Sequence, residues 1–238
     1  QVSFFIYLIE YNQEASKFEP ARYYYHSGGV CEVNYMCKKL DELRSLYVLG
    51  DYEKTSANLM KKVEWNDIPV KIEVILDRLG IPFNEKEFTQ SEAELKQNNI
   101  KVGVQGMVHV EKDNIEIFYN STYQGKRATK HKISFTLAHE LSHSILHANE
   151  IDANKGFLDF YRLDDEDEYI DDDKEVEANT LAGEILLPRN TFTALFKTAM
   201  KEKSLQETKK ALSEVFDVSL AVIDARIKYL KLENDINR

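Results

Sequence analysis

Residues 133–149 read ISFTLAHELSHSILHAN, and within them His139, Glu140 and His143 form H-E-x-x-H. On a helix, positions four apart lie about 40° around and ~6 Å along the axis, so two imidazoles can reach one ion. Glu140 sits about 100° round from His139, where a carboxylate can act on a water held beside that ion. Ile133, Leu137, Leu141 and Ile145 recur every four residues and form an apolar stripe roughly opposite His139. One side of the predicted helix therefore packs into a core and the other holds a metal. The bland alternative is a buried helix whose two histidines only hydrogen-bond.

The rest of the composition narrows the class. The 238 residues are 43% hydrophobic and 11% aromatic, enough for a folded core. The formal net charge of -10 argues against a polyanion covering the whole surface, although a local patch can still bind one. Cys31 and Cys37 do not make a disulfide framework, and a lone Cys-x5-Cys pair falls short of the four ligands of structural zinc. The apolar run 2–9 is too short to span a bilayer and has no basic flank before it. A cytoplasmic location without a membrane partner is expected.

In chain order, residues 1–66 are read as an N-terminal extension without an assigned function. A strand is expected over 2–11, a tyrosine cluster stands at 23–25 before Gly28-Gly29, and 40–49 and 57–63 carry helical spacing. After a boundary near 65–69, residues 70–79 read as an amphipathic helix stopped by Gly80. A short extended piece follows at 81–83, then a hairpin from 105–110 and 114–119, then a polar loop over 120–130. The stretch 159–177 carries eleven Asp/Glu against Arg162 and Lys174. It reads as a solvated loop, with a rim attracting a basic polypeptide or a calcium loop as sharper alternatives. Residues 189–238 form a helical tail. Within it 204–216 and 219–232, with Ser219 as N-cap, resemble a helix-turn-helix. Residues 201–238 hold eight Lys/Arg and seven Asp/Glu, so a basic reading helix is missing and direct DNA binding is not expected.

A catalytic zinc takes three protein ligands and an open position. The extended H-E-x-x-H-x-x-G-x-x-H form is ruled out by Leu146 and Asn149. His147 lies two turns beyond His139, too far for the same ion, and is expected in the core or behind a ligand. Residues 174–187, KEVEANTLAGEILL, read as a second helix stopped by Pro188. There Glu175 can complete the site, and Asn179, one turn on, can hydrogen-bond the outer nitrogen of a ligand histidine. Glu177 points about 200° away from Glu175. On spacing alone, Glu175 is either this ligand or a salt-bridged surface carboxylate.

F-T-L-A-H-E-L-S-H-x-x-L-H at 135–147, followed by E-x-E-A-N-x-L-A-G-E-I-L-L-P at 175–188, resembles the ImmA/IrrE family of metallopeptidases. The resemblance covers roughly 67–190. Ser142 stands where Gly is common and Gly183 where Ala is common. It implies an α+β, zincin-like (gluzincin-like) metallopeptidase domain over 67–188 with a small mixed or antiparallel sheet, besides the 1–66 extension and the 189–238 tail. It also implies one catalytic Zn2+ held by His139, His143 and Glu175, with Glu140 as the catalytic residue. Such proteins cut a partner protein, typically a helix-turn-helix repressor, and so switch on stress or mobile-element genes. The competing class is a non-catalytic zinc regulator binding DNA or a repressor, or a toxin–antitoxin component. Tyr161, Tyr169, His109 and His131 are candidates for a second oxyanion donor.

Overall fold

The computed structural model describes residues 37–87, 102–111, 114–123, 126–148, 157–162 and 173–235. The expected strand at 2–11, the tyrosine cluster, Cys31 and the middle of the acidic stretch lie outside the described residues. Cys37–Arg238 form one compact unit. No helix among the described residues is long and apolar enough to cross a membrane.

The unit is α+β, as expected of a zincin-like domain. Helices α1 (Lys38–Arg44), α2 (Tyr52–Lys62) and α3 (Ile72–Leu79) come first. The helix α3 ends on Gly80, whose left-handed φ of 66° lets the chain turn back without a Cβ clash. Strands β1 (Phe83–Glu85), β2 (Val102–Glu111) and β3 (Asn114–Tyr119) follow, then a small ribbon, β4 (Thr122–Tyr123) with β5 (Lys126–Arg127). The metal-motif helix α4 (Lys130–Leu146), strand β6 (Phe157–Arg162) and helix α5 (Asp173–Leu186) come next. Helices α6 (Arg189–Ala199), α7 (Leu205–Phe216) and α8 (Leu220–Tyr229) close the chain before a short 3-10 turn at Leu232–Asp235.

The main sheet is mixed, in the order β1-β3-β2-β6. The expected hairpin forms, with β2 antiparallel to β3 and Val108 opposite Ile117, Val110 opposite Ile115. All four are buried, and the polar positions between them are not, the alternation of a strand pair with one face on a core. Strand β1 adds in parallel to β3, and β6 adds antiparallel to β2. Two pieces differ from expectation. The polar stretch 120–130 contains the β4–β5 ribbon, and the acidic stretch begins inside β6. Both strands are too short or too polar to carry a two-residue alternation that reads as buried.

The apolar stripe of α4 behaves as read. Leu137, Leu141 and Ile145 are fully buried and Ile133 packs at the edge of the same core. Thr129 caps the helix, its side chain accepting from Lys132 N. The helix lies against β2, β3 and α5. One apolar cluster joins residues of α1–α3, the sheet, α4, α5 and the tail, so segments on either side of positions 66 and 188 share a core. Ser219 caps α8, and Asp217 takes a left-handed φ of 52° in the tight turn before it, so the tail has the helix–turn–helix outline expected.

Candidate metal centre

Helices α4 and α5 pack against each other, and Ala138 on one and Ala178 and Ala182 on the other are fully buried. Such small side chains allow close approach of two backbones. The approach brings His139, His143 and Glu175 together with their ligand atoms within 4.8 Å of one another. Nε2 of His139 lies 3.1 Å from Glu175 Oε2, Nε2 of His143 lies 3.3 Å from Glu175 Oε1, and the two Nε2 atoms are 2.9 Å apart. The three side chains therefore converge on one point, a downstream carboxylate meeting the two motif histidines.

The protonation states suit a cation. Burial pushes the His143 imidazole down to about 4, outweighing the opposite pull of Glu175, so near neutrality the ring is uncharged with an available lone pair. Burial works to raise Glu175, but its contacts with His139 and His143 prevail and hold it well below the usual carboxylate range. Imidazole nitrogens and an ionised carboxylate are the donor types that zinc takes in open sites. The donor set thus fits a divalent transition metal.

The outer ring nitrogens are also engaged. His139 Nδ1 lies 3.0 Å from Asn179 Oδ1, the contact expected of Asn179. His143 Nδ1 lies 3.0 Å from His147 Nδ1, and His147 Nε2 lies 3.0 Å from Glu177 Oε2. His147 therefore stands behind His143, away from the three converging atoms. Glu177, turned away from Glu175 as its spacing requires, reaches this second imidazole.

Glu140 is fully buried beside the histidines. Strand β2 covers it at Gly106, where a Cβ would fall 2.2 Å from Glu140 Oε1 and 2.7 Å from its Cδ. A β-bulge between Val104 and Gly106 re-aims the strand at this point. Gly106 is a site residue that the sequence reading passed over. Its signal was a glycine inside a strand pattern, which marks either a bulge or a close approach, and here marks both.

The four oxyanion candidates fare differently. His131 turns to the tail, its Nε2 3.0 Å from Asp217 Oδ1. His109 is three positions from Gly106 on β2, hence on the opposite sheet face, beside Phe118. The side chains of Tyr161 and Tyr169 lie outside the described residues. The two departures from the family pattern are sterically neutral. Ser142 donates to Ala138 O at 2.7 Å, and a methyl at Gly183 would meet nothing within 4 Å.

A family model, the IrrE N-terminal-like domain of Peptidase_M78, matches residues 77–228, well over half of the chain. The chain belongs to the Peptidase_M78 family. It is thus an ImmA/IrrE-type metallopeptidase by family, a hydrolase whose class uses a metal and acts on polypeptides. No curated protein matches the chain significantly. The family match begins within α3, so α1 and α2 lie outside it.

Proposed function

We propose that this family member is a zinc-dependent endopeptidase with His139, His143 and Glu175 as metal ligands and Glu140 as general base. The observation that carries the reading is the convergence of two imidazole nitrogens and a carboxylate within 4.8 Å, next to a fully buried Glu140. When bound, zinc lowers the pKa of a coordinated water to about 7 and polarises the scissile carbonyl. Glu140 accepts the proton of the attacking water and delivers it to the departing amine. Asn179 and His147 hold the two ligand rings by their outer nitrogens, so each presents Nε2 to the centre. Gly106 leaves the space that the Glu140 carboxylate occupies.

The resemblance to ImmA/IrrE proteins supports a cytoplasmic enzyme that cuts a helix-turn-helix repressor and thereby switches on stress or mobile-element genes. The alternative, a DNA-binding regulator, gains nothing from the tail. Arg226 on α8 is buried against Glu184, and Lys209 is paired with Asp224 at 2.6 Å. These cations are committed within the protein rather than arrayed for phosphate.

The test is co-expression with the product of the neighbouring gene, with cleavage mapped by mass spectrometry. Glu140→Gln should keep the metal and lose proteolysis, and Glu175→Ala should lower the zinc content found by elemental analysis. Equal cleavage by Glu140→Gln removes the base assignment, and unchanged zinc in Glu175→Ala moves the third ligand elsewhere.

A further inference from the structure

Behind His143 runs a line of polar groups that the peptidase reaction does not itself use. His143 Nδ1 meets His147 Nδ1 at 3.0 Å, and His147 Nε2 meets Glu177 Oε2 at 3.0 Å. His143 and His147 are buried, whereas the side chain of Glu177 is 40% exposed. The line thus runs from the buried centre to the surface.

Donor and acceptor counting gives this line a direction. A neutral imidazole carries one N–H and one lone pair, and two facing Nδ1 atoms can bond only if one of them is protonated. An ionised carboxylate can only accept. Glu177 therefore requires the proton of His147 to sit on Nε2, which leaves His147 Nδ1 as an acceptor. That acceptor requires the proton of His143 to sit on Nδ1, which leaves His143 Nε2 with its lone pair toward His139 and Glu175. With both imidazoles neutral, reversing the line would require Glu177 to donate.

We infer that His147 and Glu177 are positioning residues that fix the tautomer and orientation of His143, so that its Nε2 is presented as a metal ligand before any metal arrives. The inference rests on the ligand set proposed above and adds residues to it. Partners of this kind behind a ligand histidine are worth roughly 10–100-fold in metal affinity.

The experiment measures zinc affinity by chelator competition, together with the His147 tautomer by 15N NMR in the zinc-free protein, for wild type, Glu177→Leu, His147→Leu and His147→Gln. Wild-type His147 should be in the Nε2–H form. Glu177→Leu should mix the two tautomers and weaken zinc binding roughly 10–100-fold. His147→Leu should weaken it comparably, while His147→Gln, which keeps an acceptor for His143, should recover most of the loss. Wild-type zinc affinity in Glu177→Leu with an unchanged His147 tautomer overturns the relay, and so does equal affinity in His147→Leu and His147→Gln. Should His147→Leu fail to fold, the outward-facing Glu177→Leu decides the matter by itself. A wild-type protein that takes up no zinc overturns the ligand set instead, and the His147 tautomer then still decides the relay.

Discussion

At the scale of single residues, the site depends on what is small as much as on what is charged. A carboxylate as deeply buried as Glu140 has no solvent into which to swing, so an intruding atom cannot be relieved by a change of rotamer. Gly106→Ala would set a methyl 2.2 Å from Glu140 Oε1. Either the strand or the carboxylate must then shift, at a cost of about 1–3 kcal/mol for overpacking. A displacement near 1 Å of a reacting group is worth about 100-fold in rate. Gly106→Ala should therefore retain metal by elemental analysis yet cleave substrate on the order of 100-fold more slowly. Full activity would mean that β2 does not constrain Glu140. The motif residues at this scale were legible because H-E-x-x-H is a local pattern on one helix. Gly106 was only half legible, since a glycine in a strand does not announce which side chain approaches it.

At the scale of elements, the centre is a meeting of two helices separated by β6 and the acidic stretch. Each helix was readable from its own spacing. Helix α4 was expected from its four-residue apolar stripe, and α5 as a helical segment stopped by Pro188. What the spacing of α5 left open was whether Glu175 faces the histidines or solvent, because a carboxylate on a helix serves either role. The packing of α5 on α4 resolves its position, with Glu175 against both rings and Asn179 one turn further on against His139 Nδ1. Asn179→Ala leaves that nitrogen without its acceptor. Zinc affinity in this variant should fall roughly 10–100-fold while the stoichiometry at saturation stays at wild type, as read by chelator competition. An unchanged affinity would show that packing alone orients His139.

At the scale of the whole molecule, the tail is tied to the site helices by buried and exposed charges. Glu184 on α5 is buried with Arg226 on α8, and it also accepts from Arg189 N at 2.8 Å at the start of α6. Removing one partner of such a pair leaves an uncompensated charge in the core and costs about 3–5 kcal/mol. Arg226→Leu should lower the urea midpoint accordingly, and adding Glu184→Gln should recover most of the loss. A double variant as unstable as the single one would show that packing, not charge, holds α8. The second tie is on the surface, where Asp217 pairs with Lys130 at 2.5 Å and His131 at 3.0 Å. The Lys130 contact, with His131 behind it, holds the Asp217 carboxyl below its ordinary 3.8. Because the folded value is the lower one, its contribution is complete above about pH 4 and disappears as the pH falls through that value. Solvent screening limits it to about 1 kcal/mol or less. The stability difference between wild type and Asp217→Asn should be of that size near neutrality and vanish as the pH falls below the lowered folded value. A difference that grows on acidification would reverse the assigned sign.

By itself, the sequence determined the two helices and the hairpin. These depend on periodicity, caps and spacing within single segments, which local backbone geometry imposes. Only the tertiary structure decided that Glu175 and not the solvent faces the histidines, that His147 and Glu177 stand behind one of them, and that Gly106 clears room for Glu140. Those contacts join segments thirty or more positions apart, and their partners are selected by how helices and strands pack around a common core, a choice that no single segment carries.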